Sequence, residues 1–175
     1  MIVELKRAGE LGKKAFFNHL NRNYAIGMLK TNMGEKYFYS TCQIQSKDAY
    51  NNFKDKVEKH KKYMWNNMIN DLYYATPPFL FNYVNVDRSR GIRTPHSWSR
   101  EQDSESVILE KISKYMFDNR LYDCKVFIYS QKEPCLNCET VFQQFIERHP
   151  LTNLTIFYHE TNYKQLPSKY NWRFK

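Results

Sequence analysis

Two fragments of this chain carry residue types that can do chemistry: Asp103-Ser104-Glu105 and, further along, Pro134-Cys135-Leu136-Asn137-Cys138. Each sits where a helix is expected to begin. Together they supply two thiolates, a third possible ligand and a spare carboxylate. That set suits a zinc ion activating a water, with a proton carrier beside it. Taken alone, each half has plainer readings. A C-x-x-C at a helix start serves metal ligation, thiol–disulfide exchange or inert packing. Asp103 can be an N-cap, and Glu105 a first-turn carboxylate favoured by the helix dipole. No second C-x-x-C exists, which argues against a four-cysteine zinc ribbon.

The elements that must position these residues follow from apolar spacing. Tyr24 to Lys30 and Lys36 to Gln43 form a hairpin around Asn32-Met33-Gly34. Residues Lys13 to Leu20 read as a short helix. Ser46 caps a long helix with apolar positions Tyr50, Phe53, Val57, Met64, Met68 and Leu72, ended by Pro77-Pro78. Phe79 to Val86 reads as a strand inside a long connection, whose second half holds Arg88, Arg90, Arg93, His96, Trp98 and Arg100. A connection of that length is usually functional or disordered. The helix after Asp103 presents Ile108, Leu109, Ile112 and Met116 on one face. Cys124 to Ser130 is a buried strand. Cys138, Val141, Phe142 and Phe145 mark a helix stopped at Pro150, and Leu154 to Tyr158 is another strand. Residues 161–175 have room for one more short strand. Strand–helix alternation in this half predicts an α/β layer fold. It brings two helix N-termini to one sheet edge, where open α/β folds place their sites.

The whole chain sets the bounds. Its 175 residues make one domain, and a hydrophobic fraction of 42% supports a sizeable core. The formal charge is +9, with 14 Tyr and 12 Phe, which points to a polyanionic partner, nucleic acid before others. The 4 cysteines are too few and too unevenly spaced for a disulfide scaffold. Cys42 and Cys124 read as buried apolar residues. There is no signal peptide and no apolar run near 18 residues, so no membrane role is expected.

From Asp103 to Tyr158 the chain resembles the zinc-dependent cytidine deaminase superfamily, closest to the deaminase domains of bacterial polymorphic toxins. The resemblance is carried by Asp103-Ser104-Glu105, Ile108-Leu109, Val126 to Tyr129, Pro134 to Cys138, Gln144-Phe145 and Pro150. Asn23 to Leu29 also resembles the first-strand motif of free-nucleoside deaminases. The superfamily pattern has histidine where this chain has Asp103. The resemblance implies a three-layer cytidine-deaminase-like α/β fold: a central mixed sheet of about five strands flanked by helices. It also implies one domain over residues 1–175, with a helical and loop insertion at 47–102.

Carried over residue by residue, the resemblance makes Cys135 and Cys138 zinc ligands, with Asp103 as the third and His96 as the alternative. Glu105 moves protons rather than binding metal. Pro134 shapes the turn and offers its carbonyl to an exocyclic amine. Asn23 contacts the sugar, while His96 and Trp98 stack on or bond a base. Two thiolates and an aspartate leave a zinc site at −1, where a neutral histidine would leave it at zero. The two helix N-termini offset part of that charge.

The implied activity is zinc-dependent nucleobase deamination on nucleic acid: cytosine to uracil, single-stranded DNA first. Duplex DNA, RNA and adenine stay open as substrates. The implied setting is a secreted toxin effector acting in a target cell's cytoplasm, or a cytoplasmic protein, with a cognate immunity protein as partner. Two other readings remain: a nucleic-acid-binding module on the same fold without turnover, and a thiol–disulfide enzyme.

Overall fold

The computed structural model describes residues 23–42, 44–59, 71–87, 95, 97 and 100–160. Its elements in chain order are β1 (Tyr24–Thr31), β2 (Gly34–Thr41), α1 (Lys47–Lys59), β3 (Leu72–Tyr73), α2 (Ser104–Asp118), β4 (Lys125–Lys132), α3 (Leu136–Arg148) and β5 (Asn153–Glu160). The five strands form one mixed sheet in the order β3-β2-β1-β4-β5. β1 runs antiparallel to both β2 and β4, while β3 is parallel to β2 and β5 to β4.

The hairpin closes where expected. Thr31 pairs with Gly34, and Gly34 takes φ 134°, a value open to a residue without Cβ. β1 is buried from Tyr24 to Leu29 on both of its faces. Ala25 and Leu29 meet α2 and α3 through Ile108, Leu109, Ile112, Phe142 and Phe145. Tyr24, Ile26 and Met28 face the opposite layer, where Tyr50 and Phe53 of α1 pack. The result is a three-layer α/β fold with a five-stranded mixed sheet, the cytidine-deaminase-like arrangement. A central strand covered on both sides shows continuous rather than alternating burial. α2 is buried at every residue from Ser104 to Glu110, between the sheet, α3 and the chain at Leu80 and Phe81.

Three sequence expectations are corrected here. Leu72 belongs to a strand rather than to the helix that holds Tyr50 and Phe53. It pairs with Tyr39 on the outer edge of β2, where the Tyr39 amide donates to the Asp71 carbonyl at 2.8 Å. Leu72 still joins the cluster of Phe53, so a strand satisfies the burial that the helical spacing suggested. Phe79 to Val86 is no sheet strand: it bends at Leu80 and Phe81 and makes a single bridge at Val86. Its backbone bonds instead to side chains of α2 and α3. The amides of Leu80 and Phe81 donate to the Glu110 carboxylate at 3.0 Å. Gln144 takes both the amide and the carbonyl of Asn82 at 2.8 Å, and Asn137 accepts from the Val84 amide at 2.9 Å. Cys42 is half-buried, because it lies in the turn just past β2, whereas Cys124 is buried.

The expected helix at 13–20, the helical positions Met64 and Met68, and the possible strand in 161–175 lie outside the described residues. Ser46 does cap α1: its Oγ accepts from the Ala49 amide at 3.1 Å.

Gly27 sets how closely α2 approaches the sheet. A Cβ there would run into Ile108 Cγ2 and stand 3.1 Å from Ile112 Cδ1. A methyl on a β-branched side chain cannot swing away. Gly27→Ala is therefore expected to cost about 1–3 kcal/mol by overpacking. Urea melts should find that cost smaller when Ile108→Ala is already present, since the clash is then gone.

Candidate active site

α2 and α3 lie on the same face of the sheet, and their N-termini meet. Asp103 is the residue before α2, with φ −64° and ψ 133°, and its carboxylate makes no capping bond to the helix amides. Cys135 holds the same place before α3, again without a side-chain cap. Both side chains are thus free of the helix ends that present them. The Cys135 thiol donates to Asp103 Oδ2 at 3.0 Å, and Cys138 Sγ lies 3.8 Å from the same oxygen. The two sulfurs are 3.6 Å apart. Among the described residues, Asp103, Cys135 and Cys138 form a group whose ligand atoms all fall within 4.8 Å of one another.

This triangle can be tested against a metal. Zn–S bonds of about 2.3 Å and Zn–O bonds of about 2.0 Å give tetrahedral edges of about 3.8 Å between sulfurs and about 3.5 Å from sulfur to oxygen. The three separations match one face of such a tetrahedron to within about half an ångström. Thiolate donors also select zinc over calcium or magnesium. Three protein donors would leave a fourth position open, the pattern of a catalytic rather than a structural site. The donors fit zinc.

The electrostatics point the same way. Burial pushes the Asp103 carboxyl up to about 6, and Glu105 reinforces the rise, while the Cys135 thiol and Arg100 pull it down. The Cys138 thiol is pushed well above its usual range by the hydrogen bond with Cys135, by burial, and by the nearby acidic groups. Without a cation the cluster must hold protons in place of positive charge. Arg100 adds compensation that the sequence reading did not foresee. Its guanidinium reaches Asp103 Oδ1 at 3.4 Å, which leaves Oδ2 facing the sulfurs.

Glu105 is 1% exposed and stands beside the triangle. Its Oε2 accepts from Ser104 Oγ at 3.1 Å and lies 3.8 Å from Cys138 Sγ. Its Oε1 accepts from Asn23 Nδ2 at 2.9 Å and from Ser130 Oγ. Ser130 Oγ also lies 2.6 Å from the Lys132 carbonyl oxygen, so the hydroxyl hydrogen serves one acceptor at a time.

Asn23 thus sits against Glu105, and Pro134 is buried next to Cys135. His96 and Trp98, like Arg88, Arg90 and Arg93, lie outside the described residues. Arg100, which the sequence places in the basic run of the long connection, pairs with Asp103 instead, and three contributors were missed by sequence reasoning: Ser104, Ser130 and Asn137. Asn137 is fully buried between the cysteines and donates to the Arg100 carbonyl at 3.3 Å. A polar residue inside the C-x-x-C, and a serine ending an apolar strand, were the available signals. A cavity of about 600 Å³ lies elsewhere, between the C-terminal half of α2 and Pro77-Pro78, and Asp103, Glu105 and the two cysteines do not line it.

No curated protein and no solved structure matches the chain. A family model does: Toxin-deaminase, the BURPS668_1122 family of deaminases, over residues 14–160. That match spans well over half of the chain, and it takes in all five strands together with Asn23, Asp103, Glu105 and both cysteines. The chain belongs to the BURPS668_1122 family of deaminases and is a deaminase domain of the toxin type.

Proposed function

We propose that this deaminase domain holds one zinc ion and converts cytosine to uracil in single-stranded DNA as a toxin effector. The observation that carries the reading is the convergence of Asp103, Cys135 and Cys138 beside the buried Glu105. The three converging side chains would hold the metal. A zinc ion there would supply Lewis acidity that brings the pKa of a water molecule toward neutrality. Glu105 takes a proton from the attacking water and delivers it to the ring nitrogen as the water oxygen bonds to the amine-bearing carbon. A second proton passes through Glu105 to the exocyclic amine. The carbon–nitrogen bond then breaks and ammonia leaves. Burial of Glu105 keeps bulk water from intercepting these transfers.

The choice of nucleic acid rests on the +9 charge and on Arg88, Arg90, Arg93, His96 and Trp98 in the segment leading to Asp103. The choice of cytosine rests on the superfamily resemblance. As an effector, the domain acts in the cytoplasm of a target cell and is held in check by an immunity protein. No helix among the described residues is long and apolar enough to cross a membrane.

The decisive experiment pairs metal analysis with base conversion. Purified protein is expected to carry one zinc per chain, and Cys135→Ala, Cys138→Ala and Asp103→Ala each to lose it. Full zinc content in Asp103→Ala would move the third ligand elsewhere, with His96 next. Glu105→Gln is expected to keep zinc and fold while cytosine-to-uracil conversion disappears. Matched oligonucleotides should react faster as single strands than as duplexes, since no base has to be extruded. A duplex rate equal to the single-strand rate would overturn the strand preference.

Metal binding should also depend on pH in a defined direction. Asp103 is raised from 3.8 to about 6 in the metal-free fold. Its stabilising contribution there is complete below its ordinary value and is lost as pH rises through the folded value. Cys138, shifted the same way, acts in the same sense at higher pH. Zinc takes the deprotonated donors and so reverses the trend. The rise in Tm on zinc addition is expected to be larger at about pH 8 than at about pH 5. A rise independent of pH would mean that these groups do not bind the metal.

A further inference from the structure

We propose that Asn23 and Ser130 are positioning residues that grip Oε1 of Glu105 and so aim its Oε2 at the metal donors, an inference that rests on Glu105 carrying the protons. A buried carboxylate is held by hydrogen bonds or is costly. Here the bonds are divided unevenly in kind. Oε1 takes the Asn23 amide at 2.9 Å and the Ser130 hydroxyl, while Oε2, among the described residues, takes the neighbouring Ser104 hydroxyl at 3.1 Å and the Cys138 thiol at 3.8 Å. One oxygen is anchored to the sheet, and the other faces the metal donors.

The anchor is built into the central strand pair. Ser130 is fully buried on β4, and its backbone lies opposite Ala25 of β1. Asn23 is the residue before β1. Its Oδ1 accepts from the Lys132 amide at 3.1 Å, so its Nδ2 must face Glu105. A backbone N–H needs an acceptor and a carboxylate needs a donor, so only one orientation of the side-chain amide satisfies both. The second Nδ2 hydrogen points to Ser104 Oγ at 3.3 Å. Asn23 is therefore engaged with the protein at both ends of its amide, in the arrangement of a brace rather than of a sugar contact.

Asn23→Asp separates the brace from a plain structural role. Aspartate keeps the acceptor for Lys132 but has no donor for Glu105. Ser130→Ala removes the other donor, and Ser130→Thr restores the hydroxyl. On a cytosine-containing single-stranded DNA oligonucleotide, Asn23→Asp and Ser130→Ala are expected to lower kcat by up to about 100-fold through misplacement of Glu105. KM and zinc content should stay at wild-type values, and Ser130→Thr should recover most of kcat. A raised KM with unchanged kcat in Asn23→Asp would make Asn23 a substrate contact and overturn the proposal. Wild-type kcat in both variants would overturn it as well.

A second readout needs no turnover. In metal-free protein carrying ¹³C at the glutamate carboxyl carbons, the Glu105 signal is the one missing from Glu105→Gln. It should move in Asn23→Asp and in Ser130→Ala, and return toward its wild-type position in Ser130→Thr. A signal unmoved by both variants sinks the brace. An active Glu105→Gln would instead remove the proton-carrier reading, and the carboxyl signal would still decide whether Asn23 and Ser130 hold Glu105.

Discussion

The close approach of α2 to β1 at Gly27 is the contact on which the rest of the site depends. Without a side chain there, Ile108 and Ile112 settle directly onto the strand. That depth brings the first turn of α2 level with the ends of β1 and β4. Only then can Glu105, on the helix, share hydrogen bonds with Asn23, just before β1, and Ser130 on β4. α3 is brought to the same level by the parallel pairing of β4 with β5 and by packing against α2. Ser106 Oγ lies 3.7 Å from Cys138 Sγ, a separation that leaves no room for slippage between the two helix starts. The placement of Glu105 beside Asp103, Cys135 and Cys138 is therefore a consequence of core packing.

The chain between β3 and α2 obeys a different rule. Sheet strands meet their backbone partners in other backbones. Residues 80–84 meet theirs in Glu110, Asn137 and Gln144. Tyr83 adds its hydroxyl to Glu110 at 2.6 Å, and burial together with that bond raises the phenol well above its ordinary range. The cost of leaving amides unpaired is met without a sheet edge. Such a strap can lie across two helices, where no strand could pair. Asn137 joins it to the site, since one buried amide holds both Val84 and the carbonyl of Arg100.

That arrangement explains what could and could not be read from residue order. The Asn32-Met33-Gly34 turn and the stripe Ile108, Leu109, Ile112, Met116 are local signals, and the elements form where they place them. So do β4, α3 and β5, whose apolar runs are bounded by turn residues. The strap reads as a strand because an apolar run looks alike in sequence whether backbone or side chains complete its hydrogen bonds. Leu72 falls at helical spacing from Met68, yet the edge of β2 claims it. Asp103, Cys135 and Cys138 could be paired from their types and their places at helix starts. Ser130, Arg100 and Asn137 could not, because a single polar residue at a strand end or inside a C-x-x-C has many ordinary uses. Only the fold reveals which groups they face.

Arg100 changes what kind of metal donor Asp103 would be. An aspartate alone brings a full negative charge where a neutral imidazole would bring none. An aspartate whose second oxygen already faces a guanidinium contributes an oxygen donor with little net charge. The two residues work as one neutral unit split across a turn of chain. The unit of substitution at this position is then a pair. Histidine placed at 103 by itself would strand the Arg100 cation beside a dication, and loss of Arg100 by itself would return the surplus negative charge. Each residue makes the other tolerable, so this site and a histidine-bearing one are separated by two coupled changes, with either single change leaving an electrostatic imbalance between them.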